Sequence, residues 1–313
     1  MHFNRRNPMR LSAFSSLALC TAALLTGAFI AGCEVHGTTQ VGGDTKVSTL
    51  VAAPQTADTP TTKPANGDKY TYVVCHGAWA GGFEWKKVSE LLLKDGHTMY
   101  RPTYTGNGER SHLSNPDIDL NTHITDITNV ILFENLHDVV LIGHSYGGMV
   151  MTGVADRVPD RVKCLIYVDA FLPENGESLN TTRPPTPPAT GPAATNPARG
   201  RGQQIVNGMM GAAPRPGARP PYNVPQSAKT FSQPIELKNQ DQTRKIPVTY
   251  ILTVDPGRTP ERDAFFFSYT RAKTRGNTAW MMESDHVPSM THPVELVKLL
   301  EEAPVNAKAQ EPK

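Results

Sequence analysis

Apolar and polar residues follow two different periods from Tyr70 onward. Short runs rich in β-branched residues predict strands, and stretches in which apolar residues recur every three or four positions predict helices. The predicted strands are 70–75, 97–101, 138–142, 162–168, 247–252 and 278–282. The predicted helices cover about 83–96, 120–131, 146–156 and 292–302. This alternation is typical of an α/β fold with a mostly parallel six-stranded sheet, helices on both faces, and ligands bound beyond the carboxyl ends of the strands.

One segment breaks the alternation. Residues 183–225 contain 11 prolines and 6 glycines in 43 positions, and so long a stretch without regular structure is uncommon inside a compact domain unless it is functional or disordered. We therefore predict a Pro/Gly-rich cap insertion over about 172–243, within one domain that spans 70–303; a surface excursion without a role is the alternative. Residues 33–69 have the composition of a flexible tether, and 304–313 are predicted to be a disordered tail.

The N-terminus has the pattern of a secretion signal. Three arginines precede an apolar stretch over 11–31. The stretch runs into Ile-Ala-Gly-Cys at 30–33, which resembles the cleavage and lipidation site of bacterial lipoproteins. That resemblance implies a signal peptide over 1–32, a lipid on Cys33, and a cell-envelope protein anchored to a membrane, with the outer membrane facing the periplasm as its expected place. An uncleaved membrane-spanning helix is the alternative, because the apolar stretch is long enough to cross a bilayer.

Charge argues against a nucleic-acid partner. The chain has 31 Lys and Arg against 29 Asp and Glu; without residues 1–32, 28 cations face 29 anions. A protein that binds a phosphate backbone needs a concentrated basic face instead. Four cysteines are too few for a disulfide framework, and the histidines lack the spacing of a metal motif such as H-E-x-x-H, so no metal or cofactor is expected. The oligomeric state stays open.

The strongest chemical signal is a G-x-S-x-G sequence, Gly143 to Gly147, directly after the predicted strand 138–142. A strand, this turn and a following helix are what a nucleophile elbow requires, because small neighbours tolerate the strained backbone of the central residue. The pattern predicts that Ser145 is a nucleophile at a helix N-terminus, where developing negative charge is favoured. A glycine-rich turn with an ordinary serine cap is the alternative.

A serine nucleophile needs a base, and the base needs an orienting carboxylate. Of ten histidines, His286 lies in the loop between the last predicted strand and the last predicted helix, and it is predicted to be the base. Asp255 follows the strand 247–252 and completes the chain order Ser, Asp, His, so it is the predicted acid. Asp169, which follows the strand 162–168, competes for that role.

Acyl transfer also needs two donors for the oxyanion. We predict the backbone N–H of Tyr146, the residue after the nucleophile, and that of Ala78, in the glycine-rich loop after the first strand. The alternative is that the glycines of this loop only allow a helix to pack closely.

Six segments, in this order, resemble the α/β-hydrolase superfamily: VVCHGAWAGGFEWKKV, RPTYTGNGERS, VVLIGHSYGGMV, LIYVDAFLPENGES, VTYILTVD and SDHVPSMTHPVEL. More narrowly, they resemble the branch that holds plant methylesterases, hydroxynitrile lyases and bacterial pyrethroid-type carboxylesterases. The likeness covers 70–182 and about 226–303. It implies a metal-free serine hydrolase that cleaves a carboxylic ester of a small, apolar substrate through an acyl-enzyme.

The resemblance implies the roles of nucleophile, base and acid for Ser145, His286 and Asp255, with Ala78 and Tyr146 as oxyanion donors. Two departures from the lyases favour an esterase. The lyases carry a threonine where this chain has Gly77, and a lysine after the catalytic histidine where it has Val287.

Two other functions stay open. One is a surface-tethered binding lipoprotein whose hydrolase fold has lost turnover, and the other is cofactor-free haloperoxidase or lyase chemistry on the same triad. The sequence does not identify the acyl and alcohol groups of the substrate, because the cap that contacts them matches no pattern.

Overall fold

The computed structural model describes residues 67–182 and 205–309. Within these ranges the strands, in chain order, are β1 Thr71–Cys75, β2 Thr98–Tyr100, β3 Val139–His144, β4 Val162–Val168, β5 Ile205–Val206, β6 Met209–Met210, β7 Gln226–Ser227, β8 Val248–Val254 and β9 Thr278–Glu283. Six of them form one parallel sheet in the order β2-β1-β3-β4-β8-β9.

The helices of the described ranges are α1 Lys86–Lys94, α2 Leu120–Phe133, α3 Gly147–Arg157, α4 Leu179–Thr182, α5 Lys229–Ser232, α6 Gln240–Thr243, α7 Phe266–Thr274, α8 Pro288–Thr291 and α9 Pro293–Ala309. Short 3₁₀ turns cover Gly82–Trp85, Gly108–Leu113, Pro159–Arg161 and Pro260–Arg262. No helix in the described part of the chain combines the length and the apolar character that crossing a membrane requires.

The sheet is covered on both faces because its side chains alternate between two cores. Val73 of β1 and Leu141 of β3 belong to a cluster that includes α2 and α3 residues. Their neighbours Val74 and Ile142 belong to a second cluster that includes residues of α1 and α9. Every residue of β3 is buried. This explains why the central strands are continuous apolar runs, and the predicted α/β fold with its six-stranded parallel sheet is confirmed.

Two features at the end of the domain differ from the sequence expectation. The helix α7 was not among the predicted elements, although Phe265, Tyr269 and Ala272 recur at helical spacing and are buried in the core. The prediction of a disordered tail from 304 is wrong as far as Ala309, since α9 continues through Pro304. Ala303 and Ala307, one helical turn apart, are buried against the sheet, and this contact favours the longer helix.

The described part of the predicted cap has regular structure. β5, β6 and β7 form a small antiparallel sheet, and α4, α5 and α6 lie in the same region of the chain. The predicted signal peptide 1–32, the lipidation residue Cys33, the tether up to residue 66 and the cap residues 183–204 lie outside the described residues.

Candidate active site

Ser145 lies at the sharp turn between β3 and α3. Its backbone has φ +55°, in the left-handed region that residues with a Cβ rarely adopt. Glycine is required beside it, because a Cβ on Gly147 would lie 2.0 Å from the carbonyl oxygen of Cys75, and one on Gly148 would lie 2.0 Å from that of Phe171. The close approach of three chain segments therefore makes the strained turn possible and leaves the serine side chain half-buried at the sheet edge.

His286 reaches Ser145 from the loop after β9. The serine Oγ lies 2.9 Å from the imidazole Nε2, a hydrogen-bond distance. The imidazole stacks on the ring of Phe265, with centroids 4.9 Å apart and planes within 6°. The structure thus brings together the two residues that the sequence predicted as nucleophile and base.

The carboxylate beside the base is Asp169, and the prediction of Asp255 is wrong for this contact. Asp169 Oδ2 lies 2.6 Å from His286 Nδ1, and the Asp169 side chain is 1% exposed. Asp255 pairs instead with Arg258 at 3.0 Å, and its side chain is 38% exposed. Strand order alone does not decide between them, because β4 and β8 both lie between β3, which leads to Ser145, and β9, which leads to His286. The loops decide: the loop after β4 directs a buried carboxylate at the imidazole, whereas the loop after β8 pairs its carboxylate with Arg258.

The surroundings of Asp169 hold it in place. The Thr253 N–H donates to its second oxygen, Oδ1, at 3.3 Å. Phe171, two residues on, donates its N–H to the carbonyl of Ser145 at 3.1 Å, which ties the aspartate loop to the nucleophile turn. With its Nδ1–H donated to Asp169, His286 presents a bare Nε2 to the serine hydroxyl. This is the tautomer that a general base needs.

Two backbone N–H groups are available to an oxyanion. Ala78 and Tyr146 line the same cavity as Ser145 and His286. Within the described residues, neither N–H donates a hydrogen bond to a backbone or side-chain acceptor. Tyr146 is also the N-cap of α3, where the helix dipole favours negative charge. The arrangement can therefore stabilise charge that develops on an oxygen bonded to a carbon under attack.

Comparison with known proteins agrees with this geometry. A family model described as the alpha/beta hydrolase family matches residues 72–299. The chain belongs to the alpha/beta hydrolase family. Its members among the curated relatives include plant methylesterases, an alpha-hydroxynitrile lyase of Arabidopsis thaliana and a pyrethroid hydrolase of Sphingobium wenxiniae, which is the branch that the sequence motifs indicated.

Two curated relatives and one solved structure give the degree of likeness. A carbendazim hydrolyzing esterase of a Nocardioides species is 50% identical over 36% of this chain and 47% of its own length. Methylesterase 2 of Arabidopsis thaliana is 31% identical over 35% of this chain and 43% of its own. The chain thus matches a little under half the length of these relatives. An extracellular alpha/beta-hydrolase of a Paenibacillus species is 25% identical with a TM-score of 0.58, covering 75% of this chain and 98% of that one.

His144, the residue before the nucleophile, makes a hydrogen bond to the backbone of the base. Its Nε2–H donates to the backbone carbonyl of His286 at 2.6 Å, and the two rings lie 4.8 Å apart. Burial lowers the pKa of His144 to about 3, so it stays neutral next to a residue that must take up a proton. The contact joins residues 142 positions apart, so no local sequence pattern could have indicated it.

The cavity beside Ser145 has a volume of about 690 Å³ and two kinds of wall. One part of the wall is apolar and aromatic, and its residues are Ala78, Trp79, Phe171, Leu179, Met210, Phe231 and Phe265. Charged residues follow β8, and they are Asp255, Arg258, Arg262 and Asp263. Asp255 therefore borders the site without touching the base. Within the described ranges, no group of three or more His, Cys, Asp or Glu side chains is arranged so that it could hold a metal ion.

Three buried histidines should make the stability of the fold sensitive to acid. Burial lowers the pKa of His76 to about 4 and the pKa values of His123 and His144 to about 3. In the unfolded chain each pKa is about 6.5, so below that pH the unfolded state binds protons that the folded state does not. These three groups therefore contribute stability that is present above pH 6.5 and is lost as the pH falls, about 3 to 6 kcal/mol between pH 7 and pH 5. Burial raises the pKa of Glu84 to about 7, so this carboxyl offsets part of the loss.

Urea unfolding followed by tryptophan fluorescence at pH 7, 6 and 5 measures this loss. His123→Gln should reduce the loss between pH 7 and pH 5 by about 1 to 2 kcal/mol, because one of the three neutral buried imidazoles is removed. His112→Gln, at an exposed histidine, is the matched control and should leave the loss unchanged. Equal free energies of unfolding at pH 7 and pH 5 would contradict the assignment of three neutral buried imidazoles.

Proposed function

We propose that this protein hydrolyses carboxylic esters through an acyl-enzyme on Ser145. The observation that carries the proposal is the unbroken chain from the Ser145 hydroxyl through His286 to Asp169, with distances of 2.9 and 2.6 Å, opening on a cavity with an aromatic wall. The relatives whose names describe them as esterases or hydrolases support it.

In the first half-reaction, His286 Nε2 takes the proton of Ser145 as Oγ attacks the ester carbonyl carbon. The carbonyl π-electrons move to oxygen, where the N–H groups of Ala78 and Tyr146 stabilise the negative charge. Asp169 stabilises the imidazolium without taking its proton. The tetrahedral intermediate then collapses: the carbon–oxygen bond to the alcohol breaks, and His286 returns the proton to the departing alkoxide.

The second half-reaction repeats these steps with water. His286 removes a proton from water, whose oxygen attacks the acyl carbon, and the same two N–H groups stabilise the second oxyanion. Collapse breaks the bond to Ser145 Oγ, which regains its proton from His286. The products are one carboxylic acid and one alcohol for each ester consumed.

The substrate that this cavity favours is a small, largely apolar ester. Trp79, Phe171 and Phe265 present aromatic surface, and burying apolar groups against it contributes about 25 cal/mol per Å². The carbendazim hydrolyzing esterase and the pyrethroid hydrolase among the relatives are named for compounds that they cleave, and compounds of those two kinds belong in a first substrate panel.

The test is hydrolysis by the whole chain of methyl and p-nitrophenyl esters of small aromatic acids. We expect acid and alcohol in equal amounts, and loss of turnover after treatment with a fluorophosphonate. Cleavage of a cyanohydrin, or bromination, without ester hydrolysis would replace the proposal by a lyase or haloperoxidase function. No turnover and no labelling would indicate a binding protein on a hydrolase fold.

We further propose that a lipid on Cys33 anchors the protein to the cell envelope, at the outer membrane facing the periplasm. The support is the sequence alone: the arginines, the apolar stretch 11–31 and the Ile-Ala-Gly-Cys site. In a Gram-negative host fed an alkyne fatty acid, the protein should be labelled, and Cys33→Ser should abolish labelling. Cys20→Ser, within the apolar stretch, is the matched control. Labelling that persists in Cys33→Ser would refute the anchor.

A further inference from the structure

Gln226, a residue of the cap strand β7, is 1% exposed, and both the oxygen and the nitrogen of its side-chain amide make hydrogen bonds. Its Oε1 accepts the backbone N–H of Trp79 at 2.9 Å and the Nδ2–H of Asn107 at 2.8 Å. Its Nε2 donates to Thr230 Oγ1 at 2.8 Å. One buried amide therefore joins the loop after β1, the loop after β2 and the helix α5.

Trp79 is the residue after the oxyanion donor Ala78, and its backbone is strained. Its φ is +64°, in the left-handed region, which costs about 1 kcal/mol or more for a residue with a side chain. Such a conformation persists only where the surroundings determine it. Gln226 fixes the Trp79 N–H, and the Trp79 carbonyl accepts the N–H of Val224 at 2.9 Å.

The cap also holds the Trp79 side chain. The indole N–H donates to the carbonyl of Met210 at 3.0 Å, and the ring stacks on Phe231 with centroids 5.6 Å apart. Met210 pairs with Gln226 across β6 and β7, and both Met210 and Phe231 line the cavity. The segment that contacts substrate is therefore the segment that holds the oxyanion loop.

We infer that Gln226 is a positioning residue for the oxyanion hole: by holding the Trp79 N–H, it fixes the backbone on the C-terminal side of Ala78 and so keeps the Ala78 N–H directed at the reacting carbonyl. This inference rests on the proposed esterase function. Because the Trp79 N–H is occupied by Gln226, it does not compete with the Ala78 N–H for the oxyanion. Without Gln226 the peptide between Ala78 and Trp79 is free to rotate, and the backbone of Ala78 is no longer fixed on that side.

The decisive variants are Gln226→Leu, which has no acceptor, and Gln226→Glu, which keeps an acceptor oxygen in either protonation state. Loss of an oxyanion donor costs about 100- to 1000-fold in kcat. A donor that is misdirected rather than removed should cost about 10- to 100-fold, with KM within about threefold. Gln226→Glu should retain most of the activity that Gln226→Leu loses. Gln233→Leu, the same change at a cap glutamine outside the cavity, should stay within twofold.

A second measurement separates positioning from a purely structural role. The affinity of a trifluoromethyl ketone, whose adduct with Ser145 carries an oxyanion, should fall in Gln226→Leu by the same factor as kcat/KM. The affinity of the product acid should not change. If Gln226→Leu does not fold, Gln226→Met removes the acceptor at nearly constant length and volume.

Wild-type kcat in Gln226→Leu or Gln226→Met would overturn the inference while leaving the esterase proposal intact. Equal losses of affinity for ketone and product acid would also overturn it, because the defect would then be general. Absence of ester turnover in the unaltered chain would instead end the proposed function itself.

Discussion

Asp169→Asn should lower kcat for ester hydrolysis by about a thousandfold or more, whereas Asp255→Asn should change it by less than about threefold. The amide at position 169 cannot accept the imidazole N–H and stabilise its charge in the way that a carboxylate does. His286 then adopts the wrong tautomer, with a proton on the nitrogen that faces Ser145. Asp255 contacts Arg258 rather than the imidazole, so its loss removes only a half-exposed ion pair at the cavity wall.

Asp169 is buried, so the comparison needs a control for folding. The free energy of unfolding and the labelling of Ser145 by a fluorophosphonate should be measured for both variants, because slow labelling in a folded protein identifies a failing base. If Asp255→Asn loses activity and Asp169→Asn keeps it, the acid is the residue that the chain order indicated, and the hydrogen bond at 2.6 Å is not the functional one.

Ser145→Ala should lower kcat at least about ten-thousandfold. The methyl group leaves no nucleophile, and His286 and Asp169 have nothing to activate except water held by chance near the carbonyl. The Ala78 and Tyr146 N–H groups still polarise the carbonyl, so a small residual rate above that in buffer is expected. Steady-state rates with a p-nitrophenyl ester measure this loss.

Ser289→Ala is the matched control for this change. Ser289 is buried three residues after the base, and within the described residues its hydroxyl has no hydrogen-bond partner. The variant should therefore keep the wild-type rate. Activity of Ser145→Ala within tenfold of the wild type would mean that another group performs the attack.

The fold and most of the site follow from the sequence, because the relevant signals are local. Buried parallel strands must be apolar runs, which made β3, β4 and β8 visible. The nucleophile turn is a short pattern whose glycines are required by backbone contacts at 2.0 Å. His286 was identified by its place between a strand and a helix at the end where ligands bind.

The acid could not be chosen by such reasoning. Asp169 and Asp255 both follow a strand, and both give the chain order Ser, Asp, His. Both of their strands lie between β3 and β9 in the sheet, so the choice depends on which loop directs its carboxylate at the imidazole in the assembled fold. The role of Gln226 could not be predicted for a related reason, since its hydrogen bond to Trp79 joins residues 147 positions apart.

The most direct test of the account is to trap the acyl-enzyme. The whole chain is mixed with an activated ester such as p-nitrophenyl acetate, quenched within the first turnover, and its mass measured before and after digestion. The acyl-enzyme mechanism predicts a burst of nitrophenol equal to the enzyme concentration when deacylation is slow. It also predicts one added acyl group, on the peptide that carries Ser145. An acyl group found on a residue other than Ser145 would contradict this mechanism. So would a burst of nitrophenol without any acyl group bound to the protein.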